Sequence, residues 1–448
     1  MLENTCKNPI ITDSTLRNFI KFVLPAIISL LAISSAGIID GIFVGRYIGA
    51  TALAAVNIVT PMYYLFFGIC VLVLSGSMAL IGQHLGKGEI KEASNLSTKA
   101  IIIIAAYSVT CMILAFFFSD NIASLLGAKG EVLQLTSEYI HTISPFLLFM
   151  GLQYLLSGIT RVDGAPNYAL TVLVTATVMN IILNIILIKI LNYGIFGAAL
   201  ASGISYTIGG TLFLLRFLGK KAKIRLIKPY GSWKKFFNVF CNGFSEFTNE
   251  VSGGLIVLIL NWIIMTEIGS NGVAAYTVIY YLMFFSMMFS YGVCEGLGPL
   301  ISINFGANKA DRLTKFIQYG FYSNMTFGVV IVSLLLFKPD FIVGLFIQDD
   351  AINTMDITLT LITIIWPVFL LSGINLLISM YFTCIQKAKQ SAIISLSRSL
   401  ILPVGLIFGL WHLYGLKGAF IALPLAELIT LFISIVLFRN LTPKKVLN

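Results

Sequence analysis

The chain has 448 residues, 58% of them hydrophobic and 11% charged, with a net charge of +10 and a mean hydropathy of +0.94. A soluble globular domain carries about 25% charged residues, so these figures exclude one and indicate an integral membrane protein. The basic excess would suit nucleic acid, but its placement along the chain fits membrane topology instead, and no nucleic-acid partner is expected.

The apolar runs are far longer than the alternating ten-residue strands of an outer-membrane barrel, so the predicted fold class is all-α and polytopic. Twelve helices are predicted, near 19–44, 53–81, 97–118, 137–159, 167–190 and 194–217, then 238–265, 273–302, 316–337, 355–383, 391–411 and 416–438. The opening Met1-Leu-Glu-Asn-Thr-Cys6 lacks a short apolar core with a small-residue cleavage site, so the first helix is expected to direct insertion itself. That helix is free of charge from Ala26 to Ile39 and then reaches Asp40. At helical spacing Ser29, Ile33, Gly37, Asp40 and Val44 share a face. A carboxylate at bilayer depth costs about 2.5–3.5 kcal/mol on insertion scales, so Asp40 is expected to face a cavity or a partner. The plainer alternative is a helix-end acid that reaches interfacial water.

Further along the first half, Thr177, Asn180 and Asn184 fall on one face of the fifth helix, and the sixth adds Ser202 and Ser205. Amides and hydroxyls beside a carboxylate offer the hard oxygen ligands that small cations prefer, with Asp40, Asn180 and Asn184 as the core of a possible Na⁺ site. The same groups suit a protonated acid, and Asn, Ser and Thr also stitch membrane helices together without further function. Asp40, Thr177, Asn180, Asn184 and Ser202 therefore form the predicted cation or proton site.

If the N-terminus is cytoplasmic, twenty-three of the 29 basic residues fall on that side and five on the other, with Arg398 inside a helix. The positive-inside rule then places both termini and the 216–235 loop, which alone holds eight, in the cytoplasm of a bacterial inner membrane. This loop divides the chain into lobes at 1–215 and 238–448, with a basic linker at 216–237. The halves look like a duplication. Gly49–Ala55 reappears as Gly269–Ala275 at an offset of 220, as Gly76 does at Gly296 and Gly86 at Gly306. Pro145 and Gly151 meet Pro367 and Gly373 at 222, and Tyr193-Gly-Ile-Phe-Gly-Ala198 meets Tyr414-Gly-Leu-Lys-Gly-Ala419 at 221. Six helices per repeat orient both copies alike, which predicts two bundles facing across a central cleft, the architecture of an alternating-access transporter.

In the second half the seventh helix carries Glu246 and Glu250 one turn apart, and the eighth carries Glu295, the repeat partner of Ser75. Acids lining a wide cavity can pair with a lipophilic cation or relay a proton. The eighth helix is also rich in aromatics and methionine, among them Tyr281, Phe285 and Met288, which suit flat cationic ligands. Glu246, Glu250, Glu295, Tyr281, Phe285 and Met288 are the predicted cavity residues; a stripe of this kind can also simply face lipid or core. Arg398 needs a partner, and Glu427 is the candidate. Asp349-Asp350 reads as a loop charge pair, and neither the histidines nor the cysteines have metal-ligand spacing. No HExxH, GxSxG, Walker A or GxGxxG pattern occurs, so an enzyme or an ATP-driven pump has no support.

Over nearly its whole length the sequence resembles the multidrug and toxic compound extrusion family, in its bacterial MepA-like branch. The resemblance rests on Pro25 with Asp40-Gly41, Gly82-Gln83-x-x-Gly86-Lys87-Gly88, Arg161-x-Asp163-Gly164-x-Pro166, Asn180-x-x-x-Asn184 and Gly197-Ala-Ala-Leu-Ala-Ser202. It continues through Pro299-Leu-Ile-Ser-Ile-Asn304-Phe-Gly306, Arg398 with Pro403, and Gly418-Ala-Phe-Ile-Ala-Leu-Pro424-Leu-Ala-Glu427. It implies export of lipophilic cations in exchange for Na⁺ or H⁺, without a cofactor, by a protein that is a monomer in the lipid bilayer. It also implies a cation site at the positions of Asp40, Asn180, Asn184 and Ser202. The departure is Asn184, where the family typically has Asp, which leaves the choice of ion open. The rival readings are a flippase for lipids or lipid-linked glycans, which a cleft rich in Arg and Lys would favour, and a membrane prenyl transferase, which would need an Asp-rich metal motif.

Overall fold

The structure, a computed structural model, describes residues 8–219, 221–339, 342 and 352–447, so Asp349 and Asp350 lie outside the described residues. Among the described residues the regular elements are all helical. The spans are α1 (Thr15–Phe43), α2 (Ala50–Gly86), α3 (Ile90–Phe117), α4 (Gly130–Val162), α5 (Pro166–Ile190) and α6 (Gly194–Leu218). The second lobe has α7 (Phe237–Glu267), α8 (Ser270–Gly306), α9 (Ala310–Phe337), α10 (Ile352–Cys384), and α11 and α12 at 388–414 and 416–440. The last two follow without a loop. Gly415, at φ 60° and ψ −150°, breaks the helix, a backbone state that lacks a Cβ penalty only in glycine. The hydropathy pattern thus locates all twelve spans, because a backbone in hydrocarbon must bond within its own helix.

Several spans run on beyond the predicted ends, α2 and α8 among them. Both α2 and α8 have 37 residues, about 55 Å of helix, against about 30 Å of hydrocarbon. The extra turns carry polar residues that looked like loop, but they are buried between the lobes. Gln83 donates from Nε2 to the Cys384 carbonyl (2.8 Å) and accepts from Gln386 Nε2 (2.6 Å). Nearby, the Ile10 carbonyl accepts from Asn18 (3.3 Å), Asn304 (3.4 Å) and Arg312 (2.9 Å), tying the short helix Pro9–Thr12 to the second lobe. These bonds all lie at the end of the bundle that holds both termini.

The same end shows the internal symmetry. Gly76 of α2 packs on the backbone of Val239 in α7, and its repeat partner Gly296 of α8 packs on the backbone of Val23 in α1. A Cβ at Gly76 would sit 2.0 Å from the Val239 carbonyl oxygen, and one at Gly243 would sit 1.9 Å from that of Leu72, so the lobes close here only because both positions are glycine. Gly243→Val is expected to penalise this closed arrangement by about 1–3 kcal/mol, as overpacking does. Faster hydrogen exchange over residues 72–86 would register it, and native-like protection would refute the tight contact.

The 216–237 segment is not a free linker. Its backbone runs along one face of α3, with Arg225 N–H donating to Ser94 Oγ (3.1 Å), Ile227 N–H to Thr98 Oγ1 (3.2 Å) and Tyr230 N–H to Asn95 Oδ1 (3.0 Å). Asp163 accepts from the N–H groups of Lys223 (2.8 Å) and Ile224 (2.9 Å) and from Arg216 (2.6 Å). The segment belongs to the first lobe as far as Ser232, and the single turn Trp233–Phe236 leads into α7. Extended backbone needs partners for its donors, and α3 supplies them; the basic charges that mark the segment in sequence carry no sign of this.

Candidate functional site

Two side-chain clusters sit where helices lose their regular pitch. α1 runs on into a π-turn at Val44–Ile48 just after Asp40, α5 passes through another at Ile185–Ile190 just after Asn184, and α11 through a third at Ser397–Ile401. Such turns re-aim side chains and free backbone groups, and they are frequent at functional positions. Since α5 packs against both α1 and α6, the polar faces of all three helices meet.

Asp40 stands at that meeting point. Asn184 Nδ2 donates to Asp40 Oδ1, and Ser202 Oγ donates to Oδ2 at 3.3 Å. Asn180 bridges the two, donating to Ser202 Oγ (3.3 Å) and accepting from Asn184 (3.4 Å). Both carboxylate oxygens thus have a donor. Asn184 supplies one of them through an NH₂ group that an ionised Asp at this position would lack. Four of the five predicted residues meet. Thr177 is half-buried and makes no hydrogen bond to the set, and Ser205 bonds back to the Ser202 carbonyl (2.8 Å). Among the described residues no group of three or more His, Cys, Asp or Glu converges, so a cation here would meet one carboxylate and neutral oxygens. Sequence reasoning missed Tyr63 and Tyr139, whose hydroxyls are bonded to each other at 3.3 Å, and Tyr206, which lines the cavity together with Tyr63. They come from three helices and share no spacing with Asp40.

Between the lobes lies a cavity of about 990 Å³, walled by α1, α2, α4, α7, α8 and α10. It extends from Arg161, Glu295 and Thr383, beside the closed end, to Gly45, Arg46 and Leu53 near the turn between α1 and α2. Glu246, Glu250, Glu295, Tyr281 and Met288 line it as predicted. Phe285 does not; it is 47% exposed on the outer side of α8, 6.2 Å from the Phe327 ring, and Phe284 faces the cavity instead. One residue of helix is a 100° rotation, and an aromatic run without polar punctuation does not say which member points inward. Glu246 accepts from Asn249 (3.2 Å), which in turn accepts from Ser399 in the α11 π-turn (2.6 Å). Tyr64, Tyr154, Tyr280 and Tyr291 complete an aromatic wall around the three acids. Asp40 is not among the lining residues, but Gly37 and Gly41 of the same helix are on the cavity surface.

Arg398 finds the predicted partner, its Nε 2.8 Å from Glu427 Oε1, and Asn375 Nδ2 donates to Glu427 Oε2 at 2.7 Å. Arg161, two residues past the predicted end of the fourth helix, is instead buried in the last turn of α4, and its Nη1 lies 2.5 Å from Glu295 Oε2.

The sequence model of the family described as MatE matches residues 25–186 and 253–408. The chain is 29% identical over 411 residues to the multidrug export protein MepA of Staphylococcus aureus, covering 91% of this chain and 89% of that protein. Its fold superimposes on a crystal structure of MATE in complex with MaL6 with a TM-score of 0.91, 19% identity and coverage of 98% and 99%. An outward-facing conformation of a multidrug resistance MATE family transporter gives 0.90 at 19% identity, with 98% of each chain covered.

Proposed function

Because the chain belongs to the MatE family of membrane transporters, and is therefore not an enzyme, we propose that it is a multidrug efflux antiporter that exports lipophilic cations in exchange for Na⁺ or H⁺. The observation that carries this reading is the cavity itself. Three carboxylates, Glu246, Glu250 and Glu295, share one aromatic wall between two lobes that pack backbone to backbone at Gly76 and Gly243, toward the end that holds both termini. Carboxylates give a cation its counter-charge, aromatic faces add cation–π attraction, and methionine adapts to varied shapes. A lipid pyrophosphate would meet three acids and only two arginines, Arg46 and Arg161, the latter already paired, so the flippase reading has no support here.

In this reading Asp40 binds the coupling ion. Its hydrogen-bond set holds the carboxylate in place, and the Gly37–Gly41 face links the site to the cavity wall. A coupling ion moves the balance between the two open states only through its different affinity for each. An inward Na⁺ or H⁺ crossing 100 mV supplies about 2.3 kcal/mol. The closed end lies on the side of both termini, so with the termini cytoplasmic the described state is open outward, ready to release its substrate.

Efflux of a fluorescent lipophilic cation from proteoliposomes, with a sodium and a pH gradient imposed in turn, tests the proposal. One gradient is expected to drive export, and Glu250→Gln to slow it by roughly tenfold, about 1.4 kcal/mol of lost counter-charge. A folded protein that moves the dye under neither gradient would defeat the reading.

A further inference from the structure

Arg161 and Glu295 join the two lobes at the floor of the cavity. The guanidinium side chain is 3% exposed in the last turn of α4, in the first lobe; the carboxylate side chain, 23% exposed, belongs to α8 in the second. Both line the cavity. Among the described residues, Glu295 is the only one of the three cavity acids with an ion-pair partner within 4.0 Å. The duplication does not call for this pair. At the offsets of the repeat, Glu295 corresponds to Ser75 and Arg161 to Thr383, and both of these also line the cavity. One side of the pseudo-axis carries two hydroxyls, with Ser75 Oγ lacking a hydrogen-bond partner, and the other side carries opposite charges.

We propose that Glu295 is a cation subsite filled in turn by the positive group of the substrate and by Arg161, which acts as a built-in competitor. This rests on the antiporter reading above. Because α4 and α8 belong to different lobes, parting of the lobes at this end draws the guanidinium away from Glu295. A carboxylate left alone on a largely apolar wall is costly, and a lipophilic cation entering from that side satisfies it. Tyr154, Tyr291 and Met288 on the same wall receive the apolar body of such a ligand. When the floor closes, Arg161 returns as a tethered cation at high effective concentration, with a charge-assisted hydrogen bond that a quaternary ammonium or phosphonium lacks. The substrate is displaced toward the open end. Glu295 thus offers its charge to substrate in one state only, which is the differential affinity that alternating access requires.

Binding of tetraphenylphosphonium to the full-length protein in nanodiscs tests this, with hydrogen exchange over residues 72–86 and 292–306 as a second readout. Arg161→Gln is expected to tighten binding at least tenfold, to slow efflux at least tenfold and to speed exchange at the floor. Glu295→Gln should weaken binding, and the double variant should bind like Glu295→Gln, whereas Arg161→Lys should stay close to native. An Arg161→Gln protein that binds as native or more weakly, with a native unfolding transition, overturns the proposal, as does a Glu295→Gln protein with undiminished binding. Native protein that binds no tetraphenylphosphonium defeats the lipophilic-cation reading itself. Native binding that neither variant changes defeats only the assignment to Glu295 and Arg161.

Discussion

Gradient-driven efflux is expected to fall at least a hundredfold in Asp40→Asn, with expression and thermal stability close to native. The substitution keeps the size of the side chain and one acceptor, so Asn184 or Ser202 can still donate to it. What it removes is the only charge in the cluster, and with it the ability to take up and release a cation or proton within the transport cycle. Asn at this position binds equally in both states of the transporter, and equal binding shifts nothing. The measurement is dye efflux from proteoliposomes under whichever gradient drives the native protein. Transport that survives the substitution would remove Asp40 from the coupling role and direct attention to Glu250. Counterflow of substrate without a gradient is expected to persist, because the cavity acids are untouched, and this separates lost coupling from lost folding.

A second large effect is expected at Glu427, on stability. The Glu427 carboxylate accepts from Arg398 on one oxygen and from Asn375 on the other, and Asn375 is held in turn by Ser434 (3.1 Å). Arg398 is 8% exposed and sits in the π-turn of α11. Glu427→Ala leaves a buried guanidinium without its counter-charge and Asn375 without an acceptor. Loss of one partner from a buried pair costs about 3–5 kcal/mol. The unfolding midpoint of the protein in detergent should drop sharply, and Arg398→Leu combined with Glu427→Leu should recover part of that loss, since the desolvation cost of both charges then disappears. An unchanged midpoint in Glu427→Ala would mean that water reaches Arg398.

What the sequence determined alone is local in origin. Each span was legible because a helix in hydrocarbon must be apolar along some twenty residues and satisfies its own backbone, which leaves a mark in the sequence at every span. The Asp40, Asn180, Asn184 and Ser202 set was legible because helical spacing puts the two amides on one face, and a carboxylate in the membrane demands neighbours of that kind. Arg398 with Glu427 follows the same rule. The repeat, with Gly76 and Gly296 in equivalent roles, needed only a constant offset.

The tertiary structure decided the contacts made between elements far apart in the chain. Arg161 lies 134 residues from Glu295 and two residues past the predicted end of its helix, and only the meeting of α4 and α8 at the floor pairs the two. The outer position of Phe285 depends on how α8 is rotated against α1 and α2, which packing sets and composition does not. The same holds for the 216–232 segment, whose backbone donors find Ser94, Asn95 and Thr98 only after α3 has been placed beside it. Charge and hydropathy act along the chain or against the membrane, whereas these features arise from the approach of one lobe or one helix to another.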